Sequence, residues 1–245
     1  MTIIKWCSSA QTDTGNVRQL NEDAQLQLPE ARLWLVADGM GGHDAGDLAS
    51  QLIVHSFKTF NQRKKARSLN QMVKEVVKRL KRANRLMLKE AAERSRESII
   101  GSTVVVLVAW GSRCAAVWAG DSRIYRYRRK KLIQITKDHS EVQKLVDLGV
   151  LAAEHAQFHP ASNAITNALG VFKDFKPEII YDTFKPGDRY LLCSDGLTNE
   201  VNDYEIAQCF GKYKRGAVVK PLMDMTLSRP ARDNVTMAVV WRKNK

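Results

Sequence analysis

Three times in this chain an apolar run ends directly in an aspartate beside a small residue: Leu33-Trp-Leu-Val-Ala-Asp38-Gly39, Ala116-Val-Trp-Ala-Gly-Asp121-Ser122 and Tyr190-Leu-Leu-Cys-Ser-Asp195-Gly196. A reversed version, Arg232-Asp233-Asn234, stands just before Val-Thr-Met-Ala-Val-Val. Taken singly, such a junction is turn chemistry, since Asp and Gly both tolerate left-handed backbone. Four of them change the weighing. Carboxylates brought to one end of packed strands repel and raise one another's pKa unless a cation neutralises them. Without a His or Cys cluster nearby, the hard oxygen donors point to Mg²⁺ or Mn²⁺ rather than zinc. Two such ions can clamp a phosphoryl group and generate hydroxide between them, which suggests phosphate-ester hydrolysis.

The rest of the pattern predicts an α+β architecture. Apolar residues recur at three- and four-residue steps from Leu48 to Phe60 and again from about Leu69 to Ala92, giving two amphipathic helices, the second long and basic. Short runs rich in Val, Ile, Trp and Tyr read as strands at 33–37, 103–110, 114–119, 124–127, 189–193 and 235–241, with Gly111-Ser112 as a hairpin turn. No Pro/Gly/Ser-rich linker divides the chain, so residues 1–245 read as one domain. Residues of about 138–168, with a short helix at 142–148, read as a surface flap.

At 44% hydrophobic and 27% charged the chain is ordinary globular material, which excludes collagen-like and wholly disordered classes. The four cysteines show no C-x-x-C spacing and are expected reduced, in a cytoplasmic protein. The N-terminal apolar stretch is too short for a signal peptide, and the longest apolar run is far short of a bilayer span. The net charge of +13 admits an anionic partner. The excess is concentrated in residues 58–96 and 123–131, which read as solvated faces or as attractive surfaces for an acidic protein. Tyr125 and Tyr127 within the second run keep single-stranded nucleic acid conceivable.

One further stretch, Thr14-Gly-Asn-Val-Arg18-Gln-Leu-Asn21-Glu22-Asp23, supplies a guanidinium fork able to match two phosphate oxygens, with two acids close behind. Here the chain resembles the metal-dependent Ser/Thr protein phosphatases of type 2C (the PPM class), of the short bacterial kind. The matching motifs run in order: G-N-V-R-x-x-N-E-D at 15–23, V-A-D-G-M-G-G-H at 36–43, G-S-T at 101–103, A-G-D-S-R at 119–123, D-H-S at 138–140, H-P at 159–160, I-T-N-A-L-G at 165–170, S-D-G-L at 194–197 and D-N-V-T at 233–236.

The resemblance implies a β-sandwich of two antiparallel sheets flanked by helices, with the metal centre in a cleft at one end. It implies that Asp38 bridges two Mn²⁺ or Mg²⁺ ions, that Asp195 and Asp233 complete the first site, and that the Gly39 carbonyl binds the second. Glu22 and Asp23 would act mostly through metal-bound water, Asp121 would ligate the third metal of bacterial members, and Arg18 would hold the phosphate. His43 and Asn234 are accessory candidates. The implied reaction is hydrolysis of phosphoserine and phosphothreonine esters by a hydroxide bridging the metals. The implied partners are a phosphoprotein substrate and its opposing kinase, with the chain a monomer. Two other classes stand against this: an inactive phosphatase fold kept as an interaction module, and a basic nucleic-acid binder. Asp38, Asp195 and Asp233 are all present, which weakens the first; a basic patch leaves four strand-end aspartates without purpose, which weakens the second.

The chain departs from animal members at Met40, where a His often follows the bridging Asp-Gly as proposed general acid; a metal-bound water then donates the proton. In the flap, Ala161, Ser162 and Asn167 stand where basic residues are frequent, which bears on specificity rather than chemistry. His43→Ala is expected to retain most activity toward a small aryl phosphate, whose leaving group needs little protonation. Near-total loss in that assay would make His43 the acid.

Overall fold

The computed structural model describes residues 5–41, 45–60, 66–95 and 98–243; His43 lies outside them. The strands are β1 (Lys5–Asp13), β2 (Asp23–Leu28), β3 (Leu33–Gly41), β4 (Ile100–Ser102), β5 (Val104–Trp110), β6 (Arg113–Ala119), β7 (Arg123–Arg128), β8 (Lys131–Gln134), β9 (Glu178–Thr183), β10 (Arg189–Cys193) and β11 (Val235–Lys243). The helices are α1 (Ala45–Phe57), α2 (Leu69–Arg94), α3 (Glu141–Asp147), α4 (Asp195–Thr198), α5 (Asp203–Lys212) and α6 (Val219–Leu227).

Why these residues form a sandwich is clearest in β5, whose run Val104 to Ala109 is buried throughout because both of its faces are covered. Side chains alternate across a strand. Val105, Leu107 and Ala109 therefore join Trp34, Trp118, Tyr190 and Leu192 between the sheets. Val104, Val106 and Val108 face the other way, onto Ile53, Phe57, Val76 and Leu80 of α1 and α2. The β5–β6 turn uses the expected pair, with Gly111 at φ +60°. One antiparallel sheet runs β1-β11-β10-β7-β8 and the other β2-β3-β5-β6-β9, with β4 added on β3. On the outer face of the first sheet, Leu191, Cys193, Met237 and Val239 pack with Ile206, Phe210 and Leu222. The αββα arrangement expected from the sequence is the observed one.

Two local expectations need correction. Asp38 is not at a strand end: β3 continues through Gly39, Met40 and Gly41, which pair with β4. After Asp195 the chain is helical, Asn202 and Glu205 forming a capping box that starts α5, with α6 following. Finally, β1, β2, β8 and β9 are strands that the apolar runs did not reveal; all four are sheet edges. Among the described residues, no helix is long and apolar enough to cross a membrane, and the cysteines are free.

Leu80 on α2 is fully buried while Leu86 is 40% exposed. Leu80→Ala is expected to cost about 2–5 kcal/mol in urea unfolding, and Leu86→Ala less than about 0.5 kcal/mol.

Candidate active site

The register of β2 on β3 sets Asp23 directly opposite Asp38, a like-charge cross-strand pair that destabilises a sheet if both ionise. From the other sheet, Ser194 at the end of β10 donates its hydroxyl to Asp23 Oδ2 at 2.7 Å. The next residue, Asp195, opens α4, and its Oδ2 accepts from Asn199 Nδ2 at 3.0 Å. Asp121, in the turn between β6 and β7, lies within Coulombic reach of Asp195 and Asp38. Thus two sheets deliver four aspartates to one end of the sandwich. Asp23 is buried; Asp38, Asp121 and Asp195 keep a solvent-facing edge.

Their electrostatics follow from that crowding. Burial pushes Asp23 and Asp121 up to about 7, with Asp195 adding to both. Asp38 is held well above the ordinary carboxylate range by burial and then by Asp23, Asp195, Asp121 and Asp233. Asp195 is raised by burial and by Asp233. Glu22 is raised chiefly by burial. Two carboxylate oxygens, Asp23 Oδ1 and Glu22 Oε1, are buried with no hydrogen-bond partner among the described residues. Such orphaned acceptors carry a desolvation cost that something must offset.

Asp233 is placed differently. Its Oδ2 accepts from Arg18 at 3.0 Å and its Oδ1 from the Asn234 backbone N–H at 2.9 Å. Among the described residues, no three His, Cys, Asp or Glu side chains form a closed ligand set. Arg18 itself is half-exposed at the rim, its charge reinforced first by the hydrogen bond to Asp233.

Backbone contacts fix these side chains. The Asp38 carbonyl accepts from Thr103 N and from Ser102 Oγ, both at 2.9 Å. Gly39 donates to Glu22 O, and a Cβ on Gly39 would meet Gly46 O at 1.9 Å, so no side chain fits there. Met40 turns toward Gly101, where its Cε lies 2.8 Å from the place a Cβ would take.

A family model described as protein phosphatase 2C matches residues 14–235. The chain belongs to the protein phosphatase 2C family. The serine/threonine protein phosphatase PstP of Mycobacterium tuberculosis is 35% identical over 232 residues, covering 94% of this chain. The chain spans 44% of the length of that relative. Among solved structures, PppA, described as a key regulatory component of T6SS in Pseudomonas aeruginosa, superposes with a TM-score of 0.88 at 39% identity, covering 97% of this chain and 98% of that one. The catalytic domain of PstP in complex with two manganese ions superposes with a TM-score of 0.87 at 31% identity, covering 99% and 100%.

Within this phosphatase 2C fold, three supports hold the site in ways the sequence does not spell out. Ser194 belongs to the S-D-G-L motif, yet its hydroxyl, not only its small size, is used. Arg123 and Asp138, from the A-G-D-S-R and D-H-S motifs, form a multiply bonded ion pair at 2.7 Å that ties the Asp121 turn to the segment leading into α3. Asn234, named only as an accessory candidate, is the third. Its Oδ1 accepts from Glu22 N at 2.8 Å, and its Nδ2 donates to Thr14 O and Leu20 O, both at 2.9 Å. That one amide clasps the whole loop carrying Arg18 and Glu22.

Asn234→Ala is expected to cost about 1–3 kcal/mol in urea unfolding. Asn234→Asp is expected to do no better, since a carboxylate cannot donate to Thr14 O and Leu20 O. Full stability in the Asp variant would remove the clasp from the account.

Proposed function

We propose that this chain hydrolyses phosphoserine and phosphothreonine esters in proteins with the help of divalent Mn²⁺ or Mg²⁺. The observation that carries the reading is the cluster of Asp23, Asp38, Asp121 and Asp195, raised in pKa by burial and mutual repulsion, with orphaned oxygens on Asp23 and Glu22. An all-oxygen, acid-rich donor set fits hard divalent ions. In this proposal Asp38, Asp195, Asp233 and the Gly39 carbonyl would hold two ions, Glu22 and Asp23 would act through water, and Asp121 with Asp195 would hold a third. Bound there, such ions supply charge neutralisation of the phosphoryl group and an activated water.

The chain's own residues do the rest. Arg18, half-exposed and held by Asp233, exchanges that partner for two phosphoryl oxygens, to which its planar fork is matched. Ser102 and Thr103 keep the Asp38 backbone fixed while its carboxylate works, and Ser194 holds Asp23. Met40 carries no proton to give, so the departing alkoxide takes its proton from water in the cleft. The flap is pinched at its base by Ser140 against Ile165 and by Thr166 N donating to His139 O; in this reading it meets the protein part of the substrate. The opposing partner is a Ser/Thr kinase. Neither an inactive module nor a nucleic-acid binder gives a reason for crowding four acids together at one end of the sandwich.

The decisive assay is hydrolysis of a phosphothreonine peptide with and without Mn²⁺. Asp38→Asn and Asp195→Asn are expected to lose at least about 100-fold. Turnover that survives complete chelation would overturn the proposal. The same carboxylates set the stability of the metal-free chain. Because their folded pKa values are raised, their favourable contribution is complete below the ordinary carboxylate range and is lost as pH rises through the folded values, about 7 for Asp23 and Asp121. In chelator, Asp38→Asn should therefore melt higher than the parent at pH 8, with the difference shrinking toward pH 5. Mn²⁺ should raise the parent's melting temperature most at the alkaline end.

A further inference from the structure

Within the cationic run between residues 58 and 96, α2 carries eight Lys and Arg side chains, and six of these form one stripe. Lys74, Lys78, Lys81, Arg82, Arg85 and Lys89 are all exposed. At 3.6 residues per turn they fall within an arc of about 100°, well separated from the buried face of Leu69, Met72, Val76, Leu80, Ala83 and Met87. Among the described residues only Lys89 of the six has a carboxylate in reach, Glu93 at 3.5 Å. A face serving stability alone would alternate signs at i,i+4 spacing. Here Lys74 and Lys78, Lys78 and Arg82, Lys81 and Arg85, and Arg85 and Lys89 instead stack like on like, against the helix's own interest.

Beside this stripe, the C-terminal half of α2 and two facing segments enclose a groove of about 520 Å³. Leu88, Ala92 and Ser95 form one wall, Ile99 and Val171 the other. The walls are pinned in place: Asn84, itself buried, donates to Phe172 O at 2.9 Å and accepts from Gly170 N at 2.7 Å. Apolar side chains stand exposed along the groove, Ile99 at 57% and Val171 at 38%. By helical geometry Arg85 and Lys89 border the wall formed by Leu88 and Ala92.

We propose that this face docks an acidic segment of a protein partner, which seats one apolar side chain in the groove while its Asp or Glu residues lie along the α2 cations. Charge complementarity selects the partner and speeds encounter; the recessed apolar anchor supplies the register. A bilayer or a nucleic acid would meet the same cations but offers no single protruding side chain for a recess of this kind. The segment that walls the groove continues into β4, which pairs with Gly39 to Gly41, so a docked partner sits on the strand that braces Asp38. The proposal does not depend on catalysis: docking without phosphoester hydrolysis would leave it standing and remove only the phosphatase reading.

The test is fluorescence anisotropy of a short fluorescein-labelled peptide in which Glu and Asp flank one Leu, titrated with the full chain. Binding should weaken at high salt. Arg85→Glu with Lys89→Glu should lower affinity at least about tenfold. Ala92→Trp, which fills the groove and leaves every charge in place, should lower it to a similar extent, as should replacing the peptide's Leu by Ser. Unchanged circular dichroism and aryl phosphate hydrolysis in both variants establish that the fold is intact. The proposal is overturned if the parent does not bind, if the Ser peptide binds as well as the Leu peptide, or if Ala92→Trp has no effect. It is equally overturned if the charge reversal abolishes binding to phosphatidylserine vesicles or single-stranded DNA while the peptide is never bound.

Discussion

Everything at the open end of this sandwich follows from a repulsion. Asp23 and Asp38 are set opposite each other by the pairing of β2 with β3, and Asp195 arrives from the second sheet, so the fold gathers negative charge where the strands converge. A sheet designed for stability would not do this. The surrounding hydrogen bonds, from Ser194 to Asp23 and from Ser102 and Thr103 to the Asp38 carbonyl, hold the acids in place without relieving them. Folding energy supplied by three apolar layers is thus spent on keeping a cluster of carboxylates poised for cations.

How much of this was legible beforehand divides along physical lines. Central strands announce themselves because both faces are buried: Val104 to Ala109 reads as a strand from composition alone. Edge strands do not. β1 mixes exposed and half-buried residues, and β9 is exposed along almost its entire length; their pairing is set by neighbours across the sheet, not by local pattern. The amphipathic helices α1 and α2 were visible through their period, while α5 was marked only by its capping box and α6 by nothing strong.

The site divides in the same way. Its acids could be found, since each follows or precedes an apolar run and sits in a recognisable motif. What motifs cannot give is orientation. Nothing in the sequence says that Asp233 faces Arg18 and its own neighbour's amide, or that Met40 packs toward Gly101. Nor could Asn234 be read as a clasp, because its three partners, Thr14, Leu20 and Glu22, lie more than two hundred residues away along the chain.

That separation has a consequence for how the molecule comes into being. β11 lies between β1 and β10 and is paired with β1 from Asp13 opposite Val235 to Lys5 opposite Lys243. During synthesis β1 and the Arg18 loop must therefore wait, without their native neighbours, until residues 234–243 have left the ribosome. Such long-range closure is slow and exposes unpaired edges meanwhile. It also means that a nascent chain has no assembled cleft, so the protein cannot act on anything before its own translation has passed that point.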